Sequence, residues 1–167
     1  MSESIEHQNL VNMLIEYIIN SELCRDTAYI LMDLPTSNSN SKPPIVNGYR
    51  PDIYIETSRI KIIGEAKTYS DAERKHSINQ YKSYMEDCEK SEVDAYFIVS
   101  TTWEIQTSIR NMLNHFKKSL GLYKVHVVVI SQLTKGDYNA KNSSKSRANY
   151  NSQNESVSLS SRSSKCN

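Results

Sequence analysis

Leu10, Met13, Leu14, Tyr17 and Ile18 recur at helical spacing and predict a buried stripe on a helix over residues 4–20. Ser4 is placed to cap it, and Glu6 falls in the first turn, where an acid suits the positive end of the helix dipole. Residues 26–34 read as a first strand, which Pro35 ends. The polar run from Thr36 to Pro44 has no period and reads as a solvated loop. Asn47-Gly48 marks a turn.

Between Arg50 and Lys67 the period becomes two, the signature of two short strands joined by a turn. Ile53 and Ile55 share one face, and Asp52, Tyr54 and Glu56 the other. In the second strand Gly64 and Ala66 point one way, and Ile63, Glu65 and Lys67 the other. Glu65 and Lys67 then stand side by side, roughly 7 Å apart at about 3.3 Å per residue. Asp52 joins them if the strands pair. Charges on a sheet face are costly unless they are paired or bind a metal. Pro51 suits the start of the strand that carries Asp52, where a missing N–H is tolerated. Gly64 marks a close backbone approach, either by substrate or by a neighbouring helix.

Residues 71–90 read as a long helix with Ile78, Tyr81, Met85 and Cys88 as its core stripe and Asp71 as its cap. Beside that stripe His76, Gln80 and Tyr84 recur every four residues and stack on one polar face. His76 is either a phosphate contact or an ordinary exposed residue. Residues 94–100 form a strand, and a helix starts at Thr101 or Thr102, with Trp103 packing at its start. Ile105, Ile109, Met112, Leu113, Phe116 and Leu120 line that helix, and Gly121 ends it. The apolar run from Val125 to Ile130 suits a last strand covered on both faces, with His126 structural there. The order is helix, three strands, helix, strand, helix, strand.

The length suits one domain, over residues 1–134. From about Lys135 onward Ser, Asn and Lys dominate, and residues 135–167 read as a disordered tail. No apolar stretch is long enough to span a membrane, and the N-terminal residues lack the basic and apolar regions of a signal peptide. Cys24, Cys88 and Cys166 are an odd set without C-x-x-C spacing, which argues for a reducing, cytoplasmic location and against a zinc site. The chain's net charge is +1. From Lys135 onward six basic residues (Lys135, Lys141, Lys145, Arg147, Arg162, Lys165) face two acids (Asp137, Glu155), so the tail is +4 and residues 1–134 are −3. A body that gripped a long duplex non-specifically would be more basic.

Pro51-Asp52, a spacer and Glu65-Ala66-Lys67 resemble the PD-(D/E)xK motif of the restriction-endonuclease-like nuclease superfamily. Gln80 and Tyr84 resemble the additional Q-x-x-x-Y motif of its phage-exonuclease and recombination-helicase nuclease domains. The resemblance covers roughly residues 3–131. It implies an α/β fold with an α-β-β-β-α-β core, a central mixed sheet flanked by helices. It implies a metal-dependent deoxyribonuclease that hydrolyses phosphodiester bonds, with Asp52 and Glu65 holding Mg2+ or Mn2+. The Ala66 carbonyl is a further ligand by the same resemblance, and Lys67 a group that handles the attacking water. Gln80 and Tyr84 would orient the metal site and the DNA. In relatives a Glu of the first helix joins the metal, which makes Glu6 a candidate ligand; otherwise it simply favours the helix start. The implied partner is nucleic acid, most naturally DNA, with a homodimer or a larger nuclease assembly compatible with the chain. Two alternatives stand beside this: a non-catalytic nucleic-acid-binding or assembly protein on the same fold, and an RNA nuclease.

Overall fold

The computed structural model describes residues 4–24, 29–33 and 41–132. Helix α1 (Ile5–Asn20) is followed by a single 3₁₀ turn, Glu22–Cys24. Strands β1 (Leu31–Met32), β2 (Ile53–Glu56) and β3 (Ile60–Lys67) come next. Helix α2 (Lys75–Glu89), β4 (Asp94–Thr101), helix α3 (Gln106–Leu120) and β5 (His126–Ile130) complete the order. Among the described residues the protein is α/β, with one five-stranded mixed sheet in the order β1-β2-β3-β4-β5 and three α-helices. The β1–β2 and β2–β3 pairs are antiparallel, and the β3–β4 and β4–β5 pairs are parallel. Parallel neighbours need a crossover, and α2 and α3 supply the two. Among the described residues no helix is long and apolar enough to cross a membrane.

Alternation along the strands divides the core into two layers. Ile53, Ile55, Ile62 and Ile98 pack under α1, against Leu14 and Ile18. Tyr54, Ile63, Phe97 and Val99 pack on the other face, with Tyr81, Tyr84 and Met85 of α2 and Ile109 and Leu113 of α3. Gly64 lies beneath α1. A Cβ there would come within 2.9 Å of Leu14 Cδ2 and 3.1 Å of Ile53 Cβ, so the close approach is that of the helix. Ser100 holds α1 in place too, its buried hydroxyl donating to Leu10 O at 2.8 Å.

Several boundaries differ from those the sequence predicts. The buried stripe of α1 is Leu10, Val11, Leu14 and Ile18, while Met13 and Tyr17 are half-buried, so the helix is rotated from the expected face. Of the expected first strand only Leu31–Met32 is paired within the described residues. Residues 25–28 and 34–40 and the tail from 133 onward lie outside them. Helix α2 starts at Lys75, and Asp71 does not cap it. Asp71 belongs to the preceding turn, accepting from the Thr68 hydroxyl at 3.2 Å and pairing with Arg74 at 2.9 Å. Short polar side chains of this kind hold turns. Helix α3 starts at Gln106, because Thr101 still belongs to β4 and donates its hydroxyl to Lys67 O at 2.8 Å. Trp103 is exposed rather than packed, as are Leu120 and His126; His126 stacks on Tyr96 at 4.7 Å between ring centres. Ile78 is only half-buried. At the end of β3 away from Lys67, Lys61 is buried and paired with Asp87 at 2.5 Å.

Candidate active site

β3 carries Glu65 and Lys67 on the face that α2 covers, two residues and four residues beyond core Ile63. Glu65 is only 3% exposed. Its Oε1 lies 2.6 Å from Lys67 Nζ. Its Oε2 is buried and has no hydrogen-bond partner among the described residues. Burial first, and the charge of Asp52 second, push the Glu65 carboxyl up from 4.5 to about 8 against the opposing pull of Lys67. A carboxyl in that setting prefers to hold a proton unless a cation replaces it.

Asp52 arrives where the β2–β3 ladder ends. Ile53 and Gly64 are the last partners, so Asp52 stands one step further, opposite Glu65. There a side chain takes the place of a strand: the Ala66 N–H donates to Asp52 Oδ2 at 2.7 Å. The other carboxylate oxygen, Oδ1, is 3.5 Å from His7 Nε2. His7 comes from the first turn of α1, whose backbone N–H is held by the Ser4 side chain at 3.2 Å. It lies three, four and seven residues before Leu10, Val11 and Leu14, on the buried stripe itself. Glu6 lies one residue off that stripe and is exposed. The helix side chain that reaches Asp52 is therefore His7, not Glu6.

Gln80 and Tyr84, one helical turn apart on α2, are both buried. Gln80 Oε1 has no hydrogen-bond partner among the described residues, and the Tyr84 hydroxyl lies beside the Gln80 side chain without a hydrogen bond of good geometry. Burial, reinforced by the Glu65 charge, raises the Tyr84 hydroxyl above its ordinary range, so it stays protonated. His76, the third member of the stripe, is exposed. Tyr49 lies edge-on to His76 at 5.3 Å and to Tyr84 at 6.5 Å between ring centres. It is held there by the Asn47-Gly48 turn, whose two residues take φ of 48° and 87°. Val46 and Tyr49 exchange backbone hydrogen bonds across that turn, at 2.7 and 3.0 Å, and Asn47 Nδ2 donates to Ser83 O at 3.1 Å. Tyr49 was not singled out by sequence, although the Asn-Gly signal two residues earlier marks the turn that positions it.

The site thus gathers Asp52, Glu65, Lys67, Gln80, Tyr84 and His7. Its unpartnered acceptors, Glu65 Oε2 and Gln80 Oε1, are oxygens, as is Asp52 Oδ1. Among the described residues no group of three or more His, Cys, Asp or Glu is placed to hold a metal ion, and Asp52 and Glu65 are the two carboxylates of the site. Magnesium typically keeps several waters beside one or two carboxylates, so this pair of carboxylates fits Mg2+ or Mn2+. Compared with family models, with curated proteins and with solved structures, the chain has no match in any of the three.

Proposed function

We propose that the protein is a metal-dependent nuclease of the restriction-endonuclease-like fold, hydrolysing phosphodiester bonds of nucleic acid, with DNA the first substrate to test. One observation carries this reading. Asp52 and Glu65 flank the end of a strand that also bears Lys67, and a buried carboxylate oxygen, Glu65 Oε2, has no partner there. Asp52 and Glu65 would hold Mg2+ or Mn2+, with the Ala66 carbonyl a further candidate ligand. An ion held there would supply charge neutralisation at the phosphate and make the attacking water more acidic.

The chain's own residues divide the remaining work. Lys67 Nζ, tethered to Glu65 Oε1 at 2.6 Å, orients the attacking water and stabilises charge on the phosphate oxygens. Asp52 is aimed by the Ala66 N–H. The Tyr84 hydroxyl, held protonated, donates toward the carboxylates or a phosphate oxygen. Gln80 Oε1 accepts from a water of the site. His7 fixes the outer oxygen of Asp52 from the α1 side.

Purified protein incubated with duplex, single-stranded and branched DNA, and with RNA, in Mg2+ or Mn2+, tests the proposal. Cleavage that disappears with chelator and in Asp52→Asn and Lys67→Ala is the expected result. Equal cleavage by wild type and both variants would sink it. The −3 charge of residues 1–134 favours a second reading, an assembly protein on this fold. Absence of turnover with every substrate and metal decides for that one.

A further inference from the structure

Two adjacent parallel strands end in turns of the same construction. Lys67 of β3 and Thr101 of β4 are partners at the end of their ladder. Thr68 follows the first and Thr102 the second. Each threonine carbonyl accepts a backbone N–H that closes the turn, from Asp71 at 3.2 Å and from Ile105 at 3.4 Å. Each turn carries an aromatic residue in second position and leaves it in solvent: Tyr69 is 65% exposed and Trp103 is 56% exposed. Two large rings therefore stand at one rim of the sheet, on tight turns, each two residues past a paired position. One of those positions is Lys67 of the candidate site.

We propose that Tyr69 and Trp103 form a stacking shelf for unpaired nucleobases of the strand held at the site, so that the substrate is single-stranded or locally opened nucleic acid. This rests on the nuclease reading of Asp52, Glu65 and Lys67. A base inside a duplex already has both faces covered by its neighbours; an unpaired base has a face to offer. Stacking on an aromatic ring is tolerant of sequence and does not depend on opposite charge. It suits a body that is net acidic and attracts phosphates weakly. The hydrogen-bonded turns fix the backbone from which each ring projects.

Trp103 is the chain's one tryptophan, so its fluorescence reports the shelf directly. Full-length protein carrying Asp52→Asn is titrated with oligothymidylate, oligouridylate and a blunt duplex of equal length. The single strands quench the emission and the duplex does not; the two oligonucleotides separate DNA from RNA. Tyr69→Ala weakens the quenching titration about tenfold, the size expected for loss of one stacked base. In the cleavage assay Tyr69→Ala and Trp103→Ala each raise KM for single strands about tenfold with kcat retained, and Trp103→Phe restores it. Absence of quenching, or equal quenching by duplex, overturns the shelf, as does an unchanged KM in both alanine variants; a surface that docks a protein gives that last pattern. Cleavage without quenching removes the shelf and leaves the nuclease reading standing. Quenching by single strands without cleavage under any metal does the reverse.

Discussion

The Ala66 N–H donates to Asp52 Oδ2 at 2.7 Å, at the point where the β2–β3 ladder has no further rung. One carboxylate thus completes a sheet and faces the site. The two roles separate by substitution. Asn at 52 keeps an acceptor for the Ala66 N–H and removes the negative charge. Asp52→Asn is expected to melt close to wild type while losing activity by roughly 10²-fold or more, because metal-derived charge stabilisation amounts to several kcal/mol. Asp52→Ala strands the N–H as well and is expected to cost about 1–3 kcal/mol of stability. Denaturant melts beside cleavage rates check both, and a large loss of stability in Asp52→Asn would contradict the assignment.

Glu65 makes the metal-free protein sensitive to pH. Its carboxyl is raised from 4.5 to about 8 by burial and by Asp52. Between those values the folded chain holds a proton that the unfolded chain has released. Stability therefore falls as pH rises through that window and levels above it. A divalent ion bound in place of the proton would cancel that slope, so stabilisation by Mg2+ or Mn2+ relative to chelator is expected to grow with pH through the window. Melting temperatures in chelator and in metal, between about pH 5 and pH 9, give the test. Glu65→Gln is expected to flatten the chelator curve and abolish the metal increment.

Gly64 is packed closely against both Leu14 of α1 and Ile53 of β2. The nearest atoms to an added methyl are Leu14 Cδ2 at 2.9 Å and Ile53 Cβ at 3.1 Å. The leucine can rotate; the Cβ of a strand residue cannot move far. Gly64→Ala is expected to destabilise by about 1–3 kcal/mol, the usual cost of overpacking. Leu14→Val in the same background should recover part of the loss, seen as coupling in a double-mutant cycle. Additive effects would show that the helix is not what the glycine accommodates.

Much of the hairpin was legible because a period of two leaves no choice: once Ile53 and Ile55 face one layer, Asp52 and Tyr54 must face the other. Helical stripes are less exact. A step of one residue turns a helix by about 100°, so adjacent candidates such as Glu6 and His7 differ in face by a margin that apolar spacing alone does not resolve. Val11, absent from the expected stripe, decides it for His7. The starts of α2 and α3 were misplaced because a threonine or aspartate holds a turn as readily as it caps a helix. Lys61 and Asp87 pair at 2.5 Å from separate elements, and no local pattern announces a contact of that kind.

Tyr84 offers the sharpest separation of a packing role from a chemical one. Its ring belongs to the core with Phe97, at 5.9 Å between centres, and its hydroxyl is buried without a hydrogen bond of good geometry among the described residues. Phe at this position keeps the ring and removes the hydroxyl. If the hydroxyl were incidental, Tyr84→Phe would be neutral or more stable by up to about 1 kcal/mol, with unchanged activity. If it donates to the carboxylates or to a phosphate, the same gain in stability comes with a loss of activity. That loss should be about 10- to 100-fold, the range seen when a hydrogen bond supporting a metal site is removed. The expected outcome is this divergence: melting temperature held or raised, kcat lowered. Gln80→Leu, which removes a further buried acceptor of α2, is expected to behave in the same way.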